Sequence, residues 1–361
     1  MPCRLLYILP SHDTCGAADQ AALLAAGLPR EDFDVQCVRL GEGATGDDLP
    51  LRSGIDLAGY FRLKRLLREL RPDIVHLWQS DAEAFARRAA QAVGCRHIVT
   101  TQCDAERPAT AAGRFADRWL ARPASRVIFP SELLRTQGAT QGRPIDCSVI
   151  IPRGVALPEA TGDAAVRCEA ELAPLGVPAD TCWIAAAGEL TAEGDWKQLL
   201  WAMALLKEVR SDFHLLYFGD GPQRGRFKQY VQQIQVDEFV TLLPRPWRLE
   251  EFLPRAQVFA GVGARDVQPH GMLCAMAAGL PVVASDTPAH RELIDAEKTG
   301  FLVDPGDRAA LARWIQVLLD DAPRAAQMGT AGRDKAARQF SAQQMVAAHQ
   351  RLYSELLREI G

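Results

Sequence analysis

No stretch of this sequence is apolar for long enough to span a bilayer, and none of its nine cysteines pairs as Cys-x-x-Cys. The first absence argues against a membrane-spanning helix. The second argues against a zinc ribbon or a disulfide framework and leaves reduced thiols, scattered at positions such as Cys15, Cys37, Cys95, Cys168 and Cys274. A formal net charge of -4 gives no basic field to gather nucleic acid. There is no Gly-x-Ser-x-Gly, so Asp73 and His76 have no serine to complete a triad. No Asp-x-Asp pair follows a strand as a Mn²⁺-dependent sugar-nucleotide site requires, so the expectation is no metal and no resident cofactor. The apolar start, Met1–Pro10, is too short for a signal-peptide core and reads as a buried first strand, which implies a cytoplasmic chain.

What remains is a soluble composition at a length, 361 residues, that favours two domains. Short apolar runs alternate with helical patterns. Strands are expected at Arg4–Leu9, Val35–Leu40, Asp73–Leu77, His97–Thr101, Arg126–Pro130 and Cys147–Ile151, with helices such as Asp19–Leu28, Arg62–Leu70 and Ala82–Val93 between them. Near-continuous apolar strands linked by helices mean a parallel sheet covered on both faces. From Gly154 to Asp180 the texture changes to Pro, Ala and Gly. A second series then begins at Trp183–Ala187 and continues through Phe213–Phe218, Phe239–Leu243, Gln257–Gly261, Pro281–Ser285 and Gly300–Val303. Thr287 with Pro288 should open a helix, and Ser341 with Gln344 reads as the capping box of the last one.

The most specific segment is Asp266-Val-Gln-Pro-His270-Gly271-Met-Leu-Cys274-Ala-Met-Ala-Ala-Gly279-Leu-Pro281-Val-Val-Ala-Ser285-Asp286. It reads as a loop, a short helix stopped at Gly279, and a buried strand. Gly271, Met272 and Leu273 would form the first turn, whose free N–H groups suit a diphosphate, or the segment is a plain helix-strand unit. It resembles the signature of the family 4 (group 1) retaining glycosyltransferases, E-x7-E followed by A-M-A-x-G-x-P-V-V-A-S. The likeness runs along the chain. Cys15-Gly16-Ala17 resembles the family's G-G-A-E loop, Asp73–His76 its D-V-V-H, and Ile151-Pro152-Arg153-Gly154-Val155 its I-P-N-G-V hinge. Gly188-Glu189-Leu190 resembles G-R-L, Gly219-Asp220-Gly221-Pro222 repeats G-D-G-P, and Thr299–Asp307 matches T-G-x-L-V-x-P-G-D.

The resemblance implies a GT-B fold, two Rossmann-like α/β domains facing across a cleft. Residues 1–158 would be the acceptor side, joined by the C-terminal helix 341–361, and residues 159–340 the donor side. It implies transfer of a sugar from a nucleotide-diphosphate donor to a glycan or lipid-linked acceptor, with retention and without metal. Asp266 and Gln102 stand at the catalytic positions. Gly16, Glu189, Lys197, His270, Gly271, Met272, Leu273 and Cys274 fall in the donor-binding set. The departures are specific. The family's diphosphate-gripping Arg and Lys are Glu189 and Gly194, the ribose-holding Glu is Cys274, and the His of T-x-H is Gln102. Each lost donor to the departing diphosphate costs on the order of 10²–10³ in rate. Lys197, expected on the same helix face as Gly194, Arg245, Arg265 and Arg153 are the cations that can compensate. The alternative is a catalytically weak or inactive module that binds a sugar or a partner. His270 reads either as a ligand contact or as a solvated loop residue. The basic stretch Phe61–Arg71 can rest on an anionic inner membrane face or be the solvated side of an ordinary helix.

Overall fold

The computed structural model describes residues 2–10, 16–41, 49–50, 57–78, 83–102, 124–140, 145–157, 168, 170–178, 180–192, 194–243, 249–263 and 269–359. The chain divides into two compact units, Met1–Gly154 with Ala342–Gly361, and Val155–Ser341.

In the first unit the chain runs β1 (Cys3–Pro10), α1 (Ala17–Gly27), β2 (Phe33–Gly41), β3 (Leu49–Pro50), α2 (Leu57–Leu70), β4 (Ile74–Trp78), α3 (Glu83–Ala92), β5 (His97–Thr101), β6 (Arg126–Phe129), α4 (Glu132–Thr140) and β7 (Ser148–Ile150). The second unit holds β8 (Cys182–Ala187), α5 (Trp196–Leu206), β9 (Phe213–Phe218), α6 (Arg224–Gln233), β10 (Val240–Leu243), α7 (Leu249–Phe252), β11 (Val258–Gly261), α8 (His270–Ala277), β12 (Val282–Ser285), α9 (Pro288–Leu293), β13 (Gly300–Val303), α10 (Arg308–Asp320) and α11 (Ala322–Gln339). The last helix, α12 (Ala342–Arg358), returns to the first unit.

Both sheets are parallel, with the orders β3-β2-β1-β4-β5-β6-β7 and β10-β9-β8-β11-β12-β13. In each, the order reverses beside the first strand of the unit, between β1 and β4 and between β8 and β11. Crevices at the carboxyl ends of such strands are where ligands bind in doubly wound sheets. The strands are apolar throughout because helices cover both faces: every residue of β4, β5 and β9 is buried.

Local signals set the boundaries. Thr287 Oγ1 accepts the His290 N–H at 3.3 Å with Pro288 at the first helical position. Gly279 closes α8: its N–H donates to Met276 O and that of Leu280 to Ala275 O, both at 2.9 Å. The stretch read from sequence as a helix at Arg62–Leu70 begins earlier, at Leu57, because Gly59, Leu63 and Leu67 form a buried line at helical spacing. Asp73 has a plain structural role, accepting the Arg4 N–H at 2.9 Å at the start of two paired strands. The boundary lies at Gly154 and Val155, a few residues before the expected 158/159.

Candidate functional site

In the second unit the site grows from the switch point. β8 ends at Ala187, and the chain turns through Gly188, Glu189 and Leu190. Backbone hydrogen bonds tie this turn to the one after β9. Gly188 N–H donates to Phe218 O at 3.1 Å and Leu190 N–H to Asp220 O at 3.0 Å. A Cβ at Gly219 would lie 2.1 Å from Gly188 O, so this close approach explains the glycine of Gly219-Asp220-Gly221. The strand on the other side, β11, leads to α8. A Cβ at Gly271 would lie 2.8 Å from Ala187 Cβ, so the start of α8 is seated against the end of β8.

Pro269, at the N-cap of α8, offers no side-chain acceptor. Met272 and Leu273 N–H donate to Pro269 O at 3.1 and 3.2 Å, and among the described residues those of His270 and Gly271 meet no acceptor. Open N–H groups at the positive end of a helix dipole favour an anion. Met272 and Leu273, placed by sequence in the donor set, bury their side chains completely and can offer a ligand only backbone.

Glu189 is exposed and lies two residues past Ala187, within about 7 Å of chain. Its backbone therefore stands at the same end of β8 as the α8 start. Lys197 lies in the first turn of α5, with Nζ 5.3 Å from the Trp196 ring centre. The expectation that Gly194 and Lys197 share a helix face does not hold. Gly194 precedes the helix, in a turn where its N–H donates to Thr191 O at 3.3 Å, and Asp195 is the N-cap. Asp266, Arg265 and Arg245 lie outside the described residues.

Sequence reasoning missed Glu250. From α7 it meets His270 and Cys274, which lie one turn apart on α8. Glu250 Oε1 is 3.6 Å from His270 Nε2 and 3.6 Å from Cys274 Sγ, and His270 Nε2 is 3.5 Å from Cys274 Sγ. His270 beside Glu250 holds its carboxyl down at about 2, against the opposing effect of burial. Burial opposes charge on His270, but Cys274 and Glu250 together outweigh it and raise the imidazole. Burial pushes the Cys274 thiol up. The i, i+4 spacing of His270 and Cys274 was visible in sequence, whereas nothing in the spacing linked them to Glu250, twenty residues upstream.

The first unit carries a cavity of roughly 20 Å³ at its own switch point, lined by Gly16, Trp78, Thr101, Gln102, Arg153 and His349 among others. Gly16 and Gln102, both singled out by sequence, therefore meet here. Gln102 is buried and its N–H donates to Ile128 O at 2.9 Å. Gln20, not anticipated, pins the Ile151–Val155 segment: Nε2 donates to Gly154 O at 2.8 Å and Oε1 accepts Gly154 N–H at 2.9 Å. Behind the wall, His76 is held between Tyr353 Oη at 2.6 Å and Thr101 Oγ1 at 2.7 Å, and Trp78 stacks on its ring at 4.9 Å. Burial drives His76 well below the usual imidazole range, with His349 adding to the effect. Burial also takes His349 down to about 4. Trp78 Nε1 and His349 Nε2 are buried polar atoms without a hydrogen-bond partner among the described residues.

Comparison with known proteins gives one consistent result. Residues 15–158 match the family model described as Glycosyltransferase Family 4, and residues 169–335 that described as Glycosyl transferases group 1. A GDP-mannose-dependent alpha-(1-6)-phosphatidylinositol monomannoside mannosyltransferase of Mycolicibacterium smegmatis is 30% identical over 289 residues, covering 75% of this chain and 74% of that protein. The putative glycosyltransferase EpsD of Bacillus subtilis is 31% identical over 166 residues, 46% of this chain, and this chain spans only 43% of it. Among solved structures, Anabaena HepE in complex with UDP-glucose superimposes with a TM-score of 0.81 at 17% identity, covering 98% of this chain and 99% of that one. No helix among the described residues is long and apolar enough to cross a membrane.

Proposed function

The chain belongs to the group 1 glycosyltransferases of the GT-B fold, and from that premise we propose that it moves a sugar from a nucleotide-diphosphate donor to a hydroxyl of a glycan or glycolipid, with retention. The observation that carries the donor half of this reading is the start of α8. Seated on Ala187 and without a side-chain cap, it presents the His270 and Gly271 N–H groups at the switch point of the second sheet. A diphosphate is the ligand that such a helix end suits. Two relatives support a nucleotide-sugar donor by what they use or bind, GDP-mannose in one and UDP-glucose in the other. In this reading Lys197 supplies the cation that Glu189 and Gly194 no longer do. By the family resemblance Asp266 and Gln102 hold the catalytic positions and Gly16 belongs to the donor-binding set.

Titration of the full chain with UDP and GDP tests the reading, and binding of either in the micromolar range is expected. Absence of binding by both turns the choice to the second reading, a GT-B module that has lost its donor. That reading is favoured by one observation: Cys274, at the ribose position, is engaged with His270 and Glu250. Transfer is expected to need no dissociable Mn²⁺ or Mg²⁺. Turnover that collapses in EDTA and returns on adding either ion would contradict this.

A cytoplasmic site of action, polysaccharide or glycolipid assembly and peripheral membrane contact are part of the same proposal. Contact is supported by α2, which exposes Leu57 and Phe61 one turn apart, with Arg62, Arg65 and Arg68 exposed on the same helix and Arg65 paired with Glu69 at 2.8 Å.

A further inference from the structure

Three side chains of the second unit, two of them from the donor-binding set, outline a shape that sugar transfer by itself does not call for. Glu250 Oε1, His270 Nε2 and Cys274 Sγ form a nearly equilateral triangle with edges of 3.6, 3.5 and 3.6 Å. We propose that this triangle is one face of a coordination tetrahedron, a zinc-class divalent cation site with three protein ligands and a fourth position open to water.

One distance separates this from a hydrogen-bonded cluster, because the two Sγ edges are also of sulfur hydrogen-bond length and the nitrogen–oxygen edge is not. With Zn–S of about 2.3 Å and Zn–N and Zn–O of about 2.0–2.2 Å, the ligand atoms of a tetrahedral ion stand roughly 3.3–3.6 Å apart. The observed edges fall at that spacing. A charge-assisted N–H···O bond would instead draw nitrogen and oxygen to about 2.7–2.9 Å, and the His270–Glu250 separation of 3.6 Å is beyond hydrogen-bond length. The imidazole is placed through Nε2 alone, because Nδ1 is buried with no hydrogen-bond partner. The donor set of one sulfur, one nitrogen and one oxygen is borderline-soft, suited to Zn²⁺ rather than Mg²⁺ or Ca²⁺.

The scaffold also suits an ion. His270 and Cys274 are fixed by their spacing on α8, and α8 is seated on β8. Cys274 is 3% exposed, while the Glu250 side chain is 49% exposed and leaves the triangle open to solvent on one side. Coordination takes Glu250 as carboxylate, His270 as neutral imidazole and Cys274 as thiolate, the imidazolium and thiol protons both passing to solvent. Two negative ligands then balance the ion, so no net charge is buried. The site does not depend on the donor reading, since its ligands bind the ion without a nucleotide.

The test uses the full chain with metal alone. Zn²⁺ is titrated against a chromophoric chelator, and Co²⁺ is added separately to read the thiolate-to-cobalt charge-transfer band in the near ultraviolet. One equivalent bound and a charge-transfer band are expected. Cys274→Ser should abolish the band. Glu250→Gln, at a half-exposed position where folding is not at risk, should weaken zinc at least about tenfold. Zinc should also raise the Tm of the wild type and not that of Cys274→Ser. Failure to take up one equivalent, or uptake unchanged in both variants, overturns the proposal. The metal is titrated without nucleotide, and nucleotide binding is measured separately on the metal-free chain, so failure of one is told apart from failure of the other.

Discussion

At the scale of single residues, the donor side turns on one reversed charge. A carboxylate at Glu189 repels a diphosphate by a few kcal/mol at close range and an effective dielectric near 20, and less at an exposed position. Glu189→Arg is therefore expected to tighten UDP or GDP binding roughly ten- to hundredfold, and Lys197→Ala to weaken it by about tenfold, both read by calorimetry. Should neither change affinity, the diphosphate does not sit at the start of α8. Reinstating glutamate at position 274 is less simple than the sequence suggests. Cys274 Sγ already lies 3.6 Å from Glu250 Oε1, so a second carboxylate there would meet the first. The lysine missing at Gly194 has a similar obstacle, because a Cβ at that residue would lie 3.0 Å from the Trp196 ring. These neighbours explain why motif matching located the altered positions and said little about what surrounds them. A motif records spacing along the chain, while Glu250 and Trp196 act through space.

Among the elements, α12 does most to complete the first unit. Met345, Val346, His349, Leu352, Tyr353 and Leu356 are buried along one face, and Tyr353 reaches His76 on β4. Tyr353→Phe leaves a ring nitrogen of His76 buried and unpaired, at a cost of about 1–3 kcal/mol in urea unfolding. A variant as stable as wild type would mean that the nitrogen finds another partner. On α2, Phe61→Asp is expected to reduce cosedimentation with anionic vesicles while leaving soluble nucleotide binding unchanged, and equal cosedimentation would remove the membrane proposal. The elements themselves were largely legible. His97–Thr101, Phe213–Phe218 and Gly300–Val303 are strands with the bounds read from sequence, because a strand covered on both faces is an unbroken apolar run. The two-residue edge strand β3 escaped notice, since Leu49–Pro50 is too short to show a period. Gln20 escaped for another reason. A polar residue on an otherwise apolar helix gives no hint that its amide will close on the backbone of Gly154.

For the molecule as a whole, buried histidines set the acid limit. Burial holds His214 and His349 down at about 4, and His76 well below its usual range. In the unfolded chain each would take up a proton as the pH falls through about 6.5. Between pH 6.5 and 4 the unfolded state thus binds more protons than the folded one, and stability falls with pH. The Tm at pH 5 is expected to lie below that at pH 7, and His349→Gln should flatten the slope. A Tm level across that range would show that these imidazoles protonate without unfolding. The return of α12 also has a bearing on how the chain is made. Its first unit is finished by its last helix, with about 200 residues between, which at roughly 5–20 residues per second is some 10–40 s of translation. Domains ordinarily fold in the order they leave the ribosome. Here the second to emerge is complete at Ser341, and the nascent amino-terminal sheet must wait, its face for α12 still uncovered, until that helix has been made.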